Sequence, residues 1–193
     1  PELVINFYNE RRKQLLDVVP NAGHLGVADL ERDFNVTVVT QNVDNLHERA
    51  GSTHVIHLHG ELTKVCSSRD PYNPHFVKEL APEEYEVKLG DKAGDGTQLR
   101  PFIVWFGESV PEIETAIRYV EQADIFVIIG TSLNVYPAAG LLNYVPRAAE
   151  VYLIDPKPVD THVMRPIHVI QKGASEGVKE LKALLTATQP PLP

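Results

Sequence analysis

This sequence predicts an α/β fold, a doubly wound, Rossmann-like parallel sheet with a small inserted lobe. Three observations predict it. Short apolar runs alternate with stretches of helical period. One interval, from Thr63 to Leu99, breaks that alternation. Polar residues cluster just after several of the apolar runs, where an open parallel sheet binds its ligand.

The elements follow in order. "PELVINFYNERRKQLLDVV" sets Leu3, Phe7, Leu15 and Val18 at helical spacing behind a proline suited to a helix start. "NAGHLGVADLERDF" repeats the helical pattern, capped by Asn21. The runs "VTVVT" (36–40), "HVIHL" (54–58), "FIVWF" (102–106), "IFVIIG" (125–130), "EVYLID" (150–155) and "HVIQ" (168–171) read as buried strands. Helical stretches at 112–123, 138–148 and 175–187 separate several of them, which implies crossover units and a parallel sheet. The interval 63–98 is rich in Pro, Gly, Asp and Ser and too long for an ordinary loop. It reads as an inserted module, with 1–62 and 99–193 forming the main domain and 1–20 lending a helix to the small lobe. Tyr72, Phe76, Leu80, Tyr85 and Leu89 are expected to pack this module on the main sheet. The tail "TQPPLP" reads as disordered.

At 193 residues the chain can bury a real core, and 43% apolar with 23% charged residues is ordinary for a soluble globular protein. No run approaches the roughly 18 apolar residues of a membrane span and no leader pattern opens the sequence, so a cytoplasmic location without membrane contact is expected. The net charge of -8 argues against nucleic acid, whose phosphates need a basic face, and suits small molecules or basic peptides. Cys66 is the single cysteine, so neither an intrachain disulfide nor a four-thiolate zinc site can form.

Three clusters carry candidate chemistry. "TQNVDN" offers Gln41, Asn42 and Asp44 after a strand, either as ligand contacts or as a capped turn into a helix. "IGTSLNVYPAA" opens a strand into Gly130, Thr131 and Ser132, where small residues, free N–H groups and a following helix could favour a phosphate. In "HVIHLHGEL", His57 and His59 would share one strand face. They could ligate a metal, supply a base, or simply be satisfied structural histidines. Gly60 lets the backbone turn and leaves His59 at a cleft edge.

"TQNVDNLHERAG", "HGEL", "RPFIVWFGE" and "GTSLNVYPAAG", in this order, resemble the sirtuins, NAD-dependent protein lysine deacylases. The resemblance runs from Pro1 to about Leu185. It implies an NAD domain with a small lobe and a cleft that takes an acyl-lysine peptide. It also implies that Gln41, Asn42 and Asp44 lie around the nicotinamide and its ribose, and that His59 is the general base on the ribose hydroxyls. By the same resemblance Gly130, Thr131 and Ser132 belong to the cofactor-contacting loop and Ala174 lies beside the adenine. Val104, Phe106, Gly107 and Glu108 belong to the strip that pairs with substrate backbone. The implied reaction removes the acyl group, releasing nicotinamide, O-acyl-ADP-ribose and free lysine. "FYNERR" resembles the Tyr-x-x-Arg pair of the branch that removes succinyl and malonyl groups, which sets Tyr8 and Arg11 on one helix face to bind a carboxylate.

Three departures stand beside the resemblance. Of the family's two Cys-x-x-Cys pairs only Cys66 is present, so no zinc is expected. Asp155 in "LIDPKP" stands where the family has an Asn near the ribose. The match begins after the family's first strand, glycine-rich phosphate turn and mobile cofactor loop, so half the pyrophosphate cradle is expected to be missing and the chain to be weak by itself. Two alternatives remain open at this level: a non-catalytic module holding ADP-ribose or an acyl-peptide, and a metal hydrolase built on His57 and His59.

Overall fold

The computed structural model describes residues 1–131, 138–158 and 165–187. They form two compact units, one of Pro1–Val19, Val39–Leu46 and His57–Pro111, the other of Pro20–Val38, His47–Ile56 and Glu112 onward.

The second unit carries the parallel sheet. Strands β6 (Ile125–Ile129), β7 (Glu150–Ile154) and β8 (His168–Ile170) pair in parallel in that order, as their apolar runs predict. Helix α2 (Ala22–Asp29) and helix α5 (Ala174–Ala187) pack together, and their side chains Val27, Val178, Leu181 and Leu185 join Tyr152, Ile154 and Ile170 in one core cluster. Full burial of side chains such as Ile154 and Leu181 stabilises by roughly 1.5–3 kcal/mol each. Glycine permits the closest approaches: a Cβ on Gly177 would lie 2.2 Å from Ile154 Cγ2, and one on Gly26 2.7 Å from Val178 Cγ1. Asn21 caps α2 as expected, accepting from the N–H groups of Gly23 and His24. Helix α4 (Ile113–Val120) buries Ala116 and Val120, and the stretch expected as a helix at 138–148 is a 3₁₀ segment, Ala138–Tyr144.

The first unit differs from expectation. Its sheet is antiparallel, ordered β4-β3-β5, with β3 (Gly60–Ser67) between β4 (Lys78–Glu79) and β5 (Leu99–Ile103). Strand β3 starts in the motif "HGEL" and runs into the interval read as a loop-rich module, and β5 covers the first residues of the run read as a parallel strand. Helix α1 (Glu2–Asp17) buries Ile5, Arg12 and Leu15, and Ile5 packs with Val65, Val87, Leu80 and Leu99. Of the expected stripe only Leu15 is inside: Leu3 is 84% and Phe7 58% exposed, and Val18 is exposed too. Arg12 is buried because Tyr85 O accepts from Nε at 2.8 Å and Asn9 Oδ1 from Nη2 at 2.8 Å, while burial lowers its guanidinium to about 10. Asn9 also exchanges two bonds with the backbone of Val87. Leu89, expected in a core, is exposed, and Val87 takes that place.

Hydrogen bonds close the long stretch after β3. The Ser67 hydroxyl donates to Asp95 Oδ2 at 2.7 Å and accepts from the N–H groups of Arg69 and Asp70. The Thr97 hydroxyl donates to Asp95 Oδ1 at 2.7 Å. These bonds, that from Ser67 first, lower the Asp95 carboxyl to about 2. Among the described residues no helix is long and apolar enough to cross a membrane.

Gly60 fixes the start of β3. Its φ is +83°, and a Cβ would lie 2.1 Å from the carbonyl oxygen of Phe102. Gly90 has a φ of +106° with nothing within 4 Å of its Cβ position. Gly60→Ala is therefore expected to lower the unfolding free energy by at least about 2 kcal/mol more than Gly90→Ala, read from urea denaturation, because both carry the backbone strain and only Gly60 adds the clash. Equal losses would show that the strand tolerates the added methyl.

Candidate functional site

In the first unit the polar turn follows β1 (Val38–Thr40), whose Thr40 carbonyl accepts from Leu58 N at 2.9 Å. The Thr40 hydroxyl accepts from Asn42 N at 3.0 Å, and Asp44 Oδ1 accepts from Leu46 N at 3.1 Å, at the start of α3 (Leu46–Ala50). Asp44 thus closes an Asx-turn at the entry to the helix. Gln41 is half-buried and makes no side-chain hydrogen bond among the described residues. The buried Asn45 Oδ1 likewise has no partner there. A buried amide oxygen without a partner costs roughly 1–3 kcal/mol, so this turn holds unmet hydrogen-bonding capacity.

His57 and His59 do not share a strand face. Strand β2 (Val55–His57) ends at His57, and Leu58 and His59 form the turn into β3. His57 donates from Nδ1 to the carbonyl of Asn42 at 3.2 Å, which fixes that tautomer. The carbonyl of His59 accepts from Val104 N at 2.9 Å, so its backbone is pinned to the chain beyond β5. The imidazole of His59 is half-buried and makes no hydrogen bond among the described residues. A ring held by its backbone and bonded to nothing can take a proton from a ligand hydroxyl.

The loop 104–108 is closed by an ion pair. Arg100 donates from Nη1 to Glu108 Oε1 at 2.7 Å and from Nη2 to Oε2 at 3.0 Å, with a further bond to Ile103 O at 2.7 Å. Glu108 Oε2 also accepts from Trp105 N at 2.9 Å. These bonds, led by that from Arg100, hold the Glu108 carboxyl below its ordinary range. The Arg100 guanidinium lies 3.6 Å from the centre of the Trp105 ring. Glu108 therefore shapes the loop with its side chain, while Gly107 turns it at a φ of +89° and leaves Phe106 fully exposed.

Tyr8 and Arg11 lie one turn apart on α1. The Tyr8 oxygen accepts from Trp105 Nε1 at 2.9 Å, and Arg11, exposed, makes a 3.4 Å contact from Nη1 to Gln14 Oε1. A cavity of about 600 Å³ is lined by Tyr8 together with Leu3, Val4, Phe7 and Trp105. The outward stripe of α1 is the wall of this cavity. Sequence reasoning missed Arg100 and Trp105 as parts of the site. The signal available was a single Trp between two residues of a recognised strip, with an Arg and a Glu flanking it.

In the second unit Gly130, with φ +61°, follows the end of β6 at Ile129. Its N–H is not free for a ligand, since it donates to Ile154 O at 2.9 Å. Thr131 follows, and Ser132 lies outside the described residues. Asp155, just past β7, accepts from Lys157 N at 2.8 Å through Oδ1. Ala174 is the first residue of α5. Among the described residues no group of three or more His, Cys, Asp or Glu is placed to hold a metal ion. Cys66 is fully buried with its thiol 3.7 Å from Pro101 O, and burial raises it to about 11, which disfavours the thiolate a metal needs.

Known proteins bear directly on this arrangement. The model of the Sir2 family matches residues 1–137. A Bacteroides thetaiotaomicron protein named NAD-dependent protein deacylase is 83% identical over 185 residues, which cover 96% of this chain and 79% of that protein. A Helicobacter pylori protein of the same name is 47% identical over 181 residues, 94% of this chain and 76% of its own. A crystal structure of a Sir2 homologue with NAD superposes with a TM-score of 0.80 at 36% identity, over 98% of this chain and 74% of the other. A structure of Sir2 with a p53 peptide and NAD+ gives 0.72 at 27% identity, over 91% and 74%. The Rossmann-like α/β class is that of these neighbours, with parallel strands and a separate antiparallel sheet. By the family match over most of its length and its identity to these relatives, the chain belongs to the Sir2 family.

Proposed function

We propose that this chain is an NAD-dependent protein deacylase that favours lysines carrying short acidic acyl groups, succinyl or malonyl. The observation that carries the acidic preference is on α1, where a phenol that lines an apolar cavity and whose oxygen already accepts a bond stands one turn from an exposed guanidinium. A methylene stem suits that wall, and a terminal carboxylate suits the two donors.

The residues fit the dinucleotide that the family uses. Gln41, Asn45 Oδ1 and the His59 ring are neutral polar groups without partners among the described residues, as an uncharged amide and ribose hydroxyls require. When bound, NAD supplies an electrophilic ribose carbon with nicotinamide as its leaving group. Gln41 and Asn42 are read as amide contacts, with Asp44 holding their turn through Leu46 N. His59 is read as the base that takes a proton from a ribose hydroxyl. In the second unit Gly130, Thr131, Ser132, Asp155 and Ala174 are read as cofactor contacts, with Asp155 accepting from a hydroxyl. Val104, Phe106, Gly107 and Glu108 are read as the substrate strip, in which Glu108 acts by shaping the loop.

Two outcomes test this reading on the full-length protein. Wild type should release nicotinamide and free lysine in equal amounts from an acylated peptide, and His59→Ala should lower turnover by about 10²–10⁴ with NAD binding retained. His57→Ala should cost much less, because its Nδ1 is turned to the backbone carbonyl of Asn42. Binding of NAD without any nicotinamide release would make the protein a binding module, and equal losses from both histidines would remove the role given to His59.

Arg11→Met keeps the side-chain stem and removes the charge. It should lower kcat/KM for a succinylated peptide by about one to two decades and leave the acetylated peptide near its wild-type value. Parallel loss on both peptides, or no change on either, would assign Arg11 a structural role.

A further inference from the structure

We infer that Trp105 is a positioning residue that sets acyl selectivity by fixing the hydroxyl of Tyr8, an inference that rests on the reading of Tyr8 and Arg11 given above. An indole N–H can only donate, so the 2.9 Å bond from Trp105 Nε1 makes the Tyr8 oxygen the acceptor. The phenol has one proton, and with its oxygen receiving the indole that proton is directed away from Trp105. No described group accepts it. Tyr8 and Trp105 both line the cavity on α1, so the bond lies in the cavity wall. Donation into the phenol also makes its O–H a stronger donor to a further acceptor.

The indole cannot readily leave this position. Its ring lies under the Arg100 guanidinium at 3.6 Å, and its backbone N–H is bonded to Glu108 Oε2 at 2.9 Å. Arg100 is itself held by both oxygens of Glu108. A continuous chain of contacts thus runs from Glu108 through Arg100 and Trp105 to Tyr8, all inside one compact unit. An acyl group that ends in a carboxylate can accept the oriented proton, and one that ends in a methyl cannot. Trp105 touches neither kind of acyl terminus in this scheme, and its influence reaches the substrate through Tyr8.

The test compares wild type, Trp105→Phe, Tyr8→Phe and the double variant of the full-length protein, reading the ratio of succinyl to acetyl kcat/KM. Trp105→Phe should lower the ratio by about two- to tenfold, chiefly through the KM of the succinylated peptide. In the Tyr8→Phe background it should lower the ratio no further, since the bond it removes is already gone. An unchanged ratio, or the same fall in both backgrounds, overturns the inference. A second readout does not depend on turnover: the indole N–H resonance of Trp105, assigned by its loss in Trp105→Phe, should move upfield in Tyr8→Phe, and an unmoved resonance also overturns it. If Arg11→Met abolishes a succinyl preference that Trp105→Phe leaves intact, the positioning role alone fails. If wild type shows no such preference, the acidic-acyl reading fails and takes this inference with it.

Discussion

The pair between Arg100 and Glu108 is the constraint on which the chemistry-bearing half of the first unit depends. Arg100 is 9% exposed, so its charge must be met inside the protein, and the bidentate carboxylate together with the Ile103 carbonyl meets it. The second task of the Glu108 carboxylate, accepting from Trp105 N, closes the loop 104–108. Removing the Glu108 charge would leave the buried Arg100 guanidinium without its anion, a loss of about 1.5–3 kcal/mol, the worth of a hydrogen bond to a charged group. The loop therefore has one low-energy shape before any substrate arrives. Val104 N, at its start, bonds to the carbonyl of His59 and so ties the position of the proposed base to the same loop.

Function follows from what this arrangement leaves unsatisfied. Arg100 and Glu108 of the loop are paired, whereas among the described residues the His59 imidazole, the Gln41 amide and the buried Asn45 oxygen have no hydrogen-bond partner. That distribution suits a ligand rich in hydroxyl and amide groups. Arg11, exposed one turn from the Tyr8 that lines the apolar cavity, is the feature on which the acidic-acyl reading rests.

Much of this was legible in the sequence, and the failures have physical causes. The apolar runs of β6, β7 and β8 read correctly because the central strand β7, buried from Val151 to Ile154, needs no alternation, and its two neighbours have few polar interruptions. The cap at Asn21 read correctly because capping is local. Strand β3 was missed because Glu61, Thr63 and Lys64 interrupt its apolar residues and because its partner β5 is distant in sequence, so nothing local marks the pairing. Helix α1 was placed but its buried face was misjudged. An arginine looks solvated in a helical pattern, and only the carbonyl of Tyr85, far along the chain, shows why Arg12 is inside and Phe7 is not. The site motifs were visible as residue types, but the Trp105 to Tyr8 bond spans 97 positions and leaves no trace in spacing.

The measurement that tests the central constraint most directly is the pH dependence of unfolding for wild type against Glu108→Gln. The folded-state carboxyl of Glu108 lies below its ordinary value, chiefly through the bond from Arg100. Its contribution to stability is thus fully present above the ordinary carboxylate range and lost as pH falls through the lowered folded-state value. Near pH 7 wild type should exceed the variant by about 1.5–3 kcal/mol, the worth of a hydrogen bond to a charged group. That difference should shrink progressively as pH falls below the ordinary carboxylate range of about 4. A difference that stays the same from about pH 7 to about pH 2.5 would show that the charge of Glu108 does not hold the loop.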